Sequence, residues 1–181
     1  MNRKSNLRIA FSLMGSIIIA SVFCVIIFAS LAGALANTAG VALIQAINLI
    51  VLFGLVYMSI WTVGEKDINY LKTGHIQSDP LSGLKIGLYA MTVLYLPIVV
   101  LIVGVIRHQQ LLVAIFRISN AVFFGIHSLF LPVMVEDYRV WHILLTLFIP
   151  LIIPAMTSLA YYMGHRRISM LGKLVYKKKK K

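Results

Sequence analysis

The chain has 181 residues, 60% of them apolar and 12% charged, and its mean hydropathy is +0.93. A soluble domain is about 45–50% apolar and about 25% charged, and one of this size still exposes much of its surface to water, so the composition argues against a water-soluble fold. Lys and Arg number 17 against 5 Asp and Glu, a formal charge of +12; these cations flank apolar runs and do not interleave with aromatics on a polar domain, which argues against a nucleic-acid partner and fits positive charge orienting a membrane protein.

Five apolar runs stand out, at about 9–36, 41–63, 86–106, 111–135 and 141–163. Each approaches the ~20 residues an α-helix needs to cross the hydrocarbon core. Lipid leaves backbone N–H and C=O groups without partners, so such runs must be helices. The expectation is one all-α, polytopic transmembrane helical bundle spanning 1–181, with five hydrophobic helices and four or five true crossings.

The first run follows the basic start Arg3, Lys4 and Arg8. A cleaved signal has an apolar core of about 7–15 residues; this run is longer and reads as a retained helix. Cys24 lies within it and reads as a small packing residue. Ala29, Ala32, Gly33, Ala36 and Gly40 offer small residues at spacing four, a pattern that lets helices approach closely, within the bundle or against a partner. The turn 37–40 makes runs one and two an antiparallel hairpin. In run two, Gln45 and Asn48 share a face and read as interhelical hydrogen-bonding groups.

The segment 64–85 reads as a polar loop holding Glu65, Lys66, Asp67, Asn69, Lys72, His75 and Asp79. A solvated loop or docking surface is the simplest reading; an acid–base or metal pair of His75 with Glu65 or Asp67 fits no known ligand spacing. Gly83 and Gly87 open run three as a close-contact pair, Tyr89, Thr92 and Tyr95 follow at spacing three, and Pro97 lies mid-run. Proline removes a backbone donor and bends a helix. Pro97, Pro150 and Pro154 are therefore candidate hinges, with static kinks as the alternative.

Run four is the most polar, with Arg117, Ser119, Asn120, His127, Ser128 and Pro132. On a continuous helix Arg117, Asn120, His127 and Ser128 fall within about 100° of one another. This stripe is the candidate substrate-binding lining, with Arg117 as an anion anchor; interhelical hydrogen bonding is the alternative. The turn 136–139 precedes run five, where Thr146, Pro150, Pro154, Thr157 and Tyr161 share a face. The tail 164–181 ends in Lys177 to Lys181 and is expected to meet anionic lipid headgroups.

Basic residues at both ends and in 64–85 place all three on the cytoplasmic side, which requires an even number of crossings and conflicts with five runs. An Arg at mid-membrane costs about 2.5–3.5 kcal/mol, so run four is expected to bend, lie at the interface or re-enter, unless all five runs cross. Signatures for zincins, serine hydrolases, phosphate loops or dinucleotide folds are missing. No catalytic residue, metal or cofactor is expected. The function read from the sequence is a non-enzymatic membrane protein, a small subunit or accessory protein of a membrane complex. The alternative is a small-solute transporter or its substrate-binding membrane subunit. The setting is a multi-pass position in the cell membrane, with lipid and a membrane protein as partners.

Overall fold

The structure, a computed structural model, describes residues 5–31, 38–74 and 79–168. Its helices are α1 (Asn6–Leu31), α2 (Thr38–Lys72), α3 (Ser82–Ala90), α4 (Thr92–Ile106), α5 (Gln110–Ser119), α6 (Phe124–Phe130), α7 (Val140–Phe148) and α8 (Ile152–His165). Four stretches are long and apolar enough to cross a bilayer: α1, α2, α3 with α4, and α7 with α8. The fifth apolar run is α5 and α6, bent by 86°. The protein is an all-α bundle of the polytopic membrane type.

Most of the core lies where α1, α2, α3 and α8 meet, with Leu13, Ile17, Leu52, Ile60, Ile86 and Ile153 almost fully buried. Glycine sets the spacing there. A Cβ on Gly83 would sit 2.6 Å from Cβ of Tyr161, and one on Gly87 would meet Pro154 Cα at 2.6 Å. The small-residue pair of run three thus serves internal packing against α8. Gly64 and Gly164 bring α2 and α8 equally close, through the backbones of Tyr161 and Trp61. Of the rest of the small-residue pattern, Ala29 is exposed, Gly40 is buried, and Ala32, Gly33 and Ala36 lie outside the described residues.

Two boundaries differ from the sequence reading. The segment 64–72 is not loop but the last turns of α2, and α3 starts at Ser82. Asp67 is correspondingly not a solvated acid: it is 1% exposed and accepts the Tyr161 hydroxyl at 2.9 Å. The i, i+3, i+4 register that buries Gly64 and Asp67 toward α8 continues the apolar face past the point where polar residues begin. His75 lies outside the described residues, as does the tail from 169 with its lysines.

The ends of the described chain bear on the crossing parity. Trp61 Nε1 donates to the Ile168 carbonyl at 2.9 Å, and Arg167 Nη2 to Asn69 Oδ1 at 2.8 Å. The end of α8 therefore lies beside the end of α2. Arg8, at the start of α1, lines one cavity with Lys66 of α2, so both ends of the described chain lie on one side of the bundle. Four crossings and a bent segment that returns to its own side satisfy this geometry.

Candidate functional site

Run four breaks at Asn120, where α5 stops, a single 3-10 turn (Ala121–Phe123) follows, and α6 begins. A bend inside a bundle strands carbonyls and amides that a continuous helix would pair, and lipid offers no replacement. The partners come from α2. Gln45 Nε2 donates to the Val122 carbonyl at 3.1 Å, while Gln45 Oε1 accepts the N–H of Gly125 at 2.8 Å and of Ile126 at 3.3 Å. Asn48 Nδ2 donates to the Ala121 carbonyl at 3.0 Å. The two amides that the sequence marks as interhelical groups thus pair with backbone at the break. Gly125 is the residue that lets them: a Cβ there would meet the Val41 carbonyl oxygen at 3.0 Å and collide with the Gln45 side chain.

The open end of the hairpin is closed in the same way. Gln110, first residue of α5, donates Nε2 to the Val133 carbonyl at 2.9 Å and accepts the Val135 N–H at 2.9 Å. Arg117 Nη2 donates to the carbonyls of Pro132 at 2.6 Å and Leu131 at 3.3 Å. Because the start of α5 meets the chain just past α6, this segment doubles back.

The predicted one-face stripe of Arg117, Asn120, His127 and Ser128 does not exist as such, since the 86° bend separates its two halves; periodicity assumed an unbroken helix. Arg117 and His127 still lie close to each other. His127 is 2% exposed and packs its ring 4.9 Å from Phe116 and 6.4 Å from Phe123. Asn120 is 3% exposed, at the break itself. Arg117 Nε, Asn120 Nδ2, His127 Nδ1 and Ser128 Oγ are all buried without a hydrogen-bond partner. Tyr138, which the sequence reading missed, joins them: its phenol lies against the Arg117 guanidinium, and burial pushes its pKa up. Its place in a turn next to two acids gave no sign of burial. Gln110 also went unmarked, although an amide immediately before the most polar of the apolar runs was available as a signal.

Of the candidate hinges, Pro150 and Pro154 are buried and Pro97 is half-buried. Pro97 is inside α4, while the discontinuity between α3 and α4 falls at Met91. Pro150 lies in a 3-10 turn, Ile149–Leu151, between α7 and α8. Tyr95 donates its hydroxyl to the Leu147 carbonyl at 3.2 Å. The residue three further on is Pro150, which has no N–H to offer, so Tyr95 supplies the missing donor. Thr146, Pro150, Pro154, Thr157 and Tyr161 are all buried, as their shared face implies.

Two openings lie elsewhere. One, of about 370 Å³, runs along α1, α4 and α5 and is lined by Ile17, Ser21, Val93, Pro97 and Ser119 among others. The second, of about 400 Å³, separates α1 from the end of α2. Comparison with known protein families, with characterised proteins and with solved structures finds no match.

Proposed function

We propose that the protein is a non-enzymatic, multi-pass protein of the cell membrane that acts as a small accessory subunit, receiving a transmembrane helix of a partner protein along its α1–α4–α5 flank. The observation that carries this reading is Ser119: it is exposed, it lines an otherwise largely apolar groove, and it lies at the bend of the α5–α6 hairpin. The groove crosses the middle of α1 and of the α3–α4 stretch. Val93 also borders it, and Pro97 withholds the N–H that the Val93 carbonyl would accept in a regular helix. Lipid tails satisfy neither group, whereas a helix bearing a hydroxyl or amide satisfies both, and such contacts are what join helices in lipid.

Photo-crosslinking residues at Ser119 and Leu96, with Ile50 as a lipid-facing control on α2, test it in cells. A protein adduct of one size from the two groove positions, with the control silent, supports the subunit reading; lipid adducts alone at all three positions overturn it.

A second reading is favoured by the buried polar atoms around Arg117. Arg117 Nε, Asn120 Nδ2, His127 Nδ1 and Ser128 Oγ lack partners, and a small polar solute or anion would satisfy such groups, as in a transporter or its substrate-binding subunit. Solute-dependent thermal stabilisation that is lost in His127→Ala, with the fold retained, supports that reading.

A further inference from the structure

We infer that the slot between α1 and the end of α2 is a binding site for one anionic phospholipid, its phosphodiester held by Arg8 and Lys66. The lining is graded along the membrane normal. Residues 59 to 70 of α2 cover about 16 Å of helix axis, and α1 runs antiparallel beside them. Nearest the helix ends are Arg8, Lys66, Asp67 and Tyr70; deeper in, the hydroxyls of Ser12, Thr62 and Ser59 alternate with Ile9, Leu13, Ile60 and Val63. Charge at the helix ends gives way to a mixed lining of hydroxyl and hydrocarbon, which suits a phosphate above and the glycerol ester region and upper acyl chain below. The three formal charges in the slot sum to +1, which matches one phosphodiester.

The serines give an independent sign. In membrane helices a hydroxyl normally returns its proton to the carbonyl one turn back. Ser16, Ser21 and Ser30 of α1 do so at 3.3, 3.1 and 2.8 Å, and Thr62 of α2 does so at 2.8 Å. Ser12 and Ser59 make no such bond among the described residues; both are exposed and both line the slot. Two hydroxyls at the hydrocarbon boundary with their protons undirected suit the ester oxygens of a glycerolipid. Asp67 is the one acid in the lining; its Oδ2 accepts the Tyr161 hydroxyl, and the two cations outweigh its charge. This inference is independent of the partner helix proposed above, which uses the middle of α1 and of the α3–α4 stretch.

The test uses the full chain, purified in neutral detergent and exposed to mixed micelles of phosphatidylglycerol and phosphatidylcholine, with native mass spectrometry counting retained lipid. One phosphatidylglycerol per chain is expected. Arg8→Ala with Lys66→Ala should weaken retention about thirtyfold, from about tenfold or less per basic residue near the surface. Ser12→Leu with Ser59→Leu should abolish it while leaving every charge, including the lysine tail, in place. Arg8→Lys with Lys66→Arg should keep it, which separates lost binding from lost folding. Equal retention by the wild type and the leucine variant overturns the site. Stabilisation by inorganic phosphate without lipid also overturns it, in favour of a free-oxyanion site.

Discussion

The side-chain oxygen of Gln45 accepts the backbone N–H of Gly125 at 2.8 Å, and Gly125 is packed so closely on that side chain that a Cβ would collide with it. The bond and the close approach are one device: a glycine brings the bent segment within reach of an amide, and the amide replaces the hydrogen bonds lost at the bend.

Gln45→Leu removes that amide and leaves the Val122 carbonyl and Gly125 N–H buried without partners. The expected loss is about 1–3 kcal/mol of unfolding free energy, read by reversible denaturation in mixed detergent micelles. Gly125→Ala should cost a similar amount through the clash. Since both changes break the same contact, the double variant should lose clearly less than the sum of the two. Strict additivity would show that the two residues do not act together.

Gly87 and Gly54 form a matched comparison. Both are helical, but a Cβ on Gly87 meets Pro154 and Thr157, while one on Gly54 meets nothing within 4 Å. Gly87→Ala should lower the unfolding midpoint, with a cost of about 1–3 kcal/mol from overpacking. Gly54→Ala should be neutral or stabilising by up to about 1 kcal/mol, since alanine is the better helix former. A Gly87→Ala protein as stable as the wild type contradicts the close α3–α8 packing.

How far these relations were legible follows from what each depends on. The runs that became α1, α2, α3 with α4, and α7 with α8 were readable because lipid imposes length and hydropathy on any crossing helix. Gln45 and Asn48 were readable as glue because a buried amide has few other uses. The 86° bend was only half legible: Arg117, Asn120 and His127 marked the segment as unlike the others, but periodicity presumes a straight helix. Asp67 was misplaced because its neighbours Glu65, Lys66 and Asn69 are polar; burial of one face of that last stretch is decided by Tyr161 of α8, 94 positions away in the chain. Tyr138 likewise owes its burial to a cluster that includes the distant Ile98, Leu101, Val113 and Phe116.

Asp79 supplies a pH signature. Its carboxylate accepts a hydrogen bond from Lys85 Nζ at 2.8 Å and the Leu81 N–H at 3.1 Å, and the Lys85 contact above all holds its pKa below the usual carboxylate value. A depressed folded-state pKa contributes stability that is complete above the unfolded value and lost as pH falls through the folded one. The Lys85 and Asp79 side chains are 50% and 32% exposed, so solvent screening limits the contribution to about 0.5 kcal/mol or less. Asp79→Asn should cost that amount near neutral pH and nothing below the folded pKa. A difference that persists or grows in acid excludes the ion pair as its source.

The orientation of the α5–α6 hairpin gives a decisive measurement. If the segment doubles back, residues 107–109 before it and 136–139 after it lie on the same side, opposite to Ser5, Asp79 and Arg167. A crossing segment would put the two groups on opposite sides. The natural Cys24 is buried, so the background to thiol labelling is low. Single cysteines at His108 and Glu136 should react together with an impermeant maleimide, from the side on which cysteines at Ser5 and Asp79 are silent. Both His108 and Glu136 are exposed, so access does not depend on local opening. Labelling of the Glu136 position from the side of Asp79 would make α5–α6 a fifth crossing. That outcome is incompatible with the bonds from Gln110 to Val133 and Val135, because one side chain cannot reach across a bilayer about 30 Å thick. The hairpin and its closure by Gln110 therefore stand or fall on the same experiment.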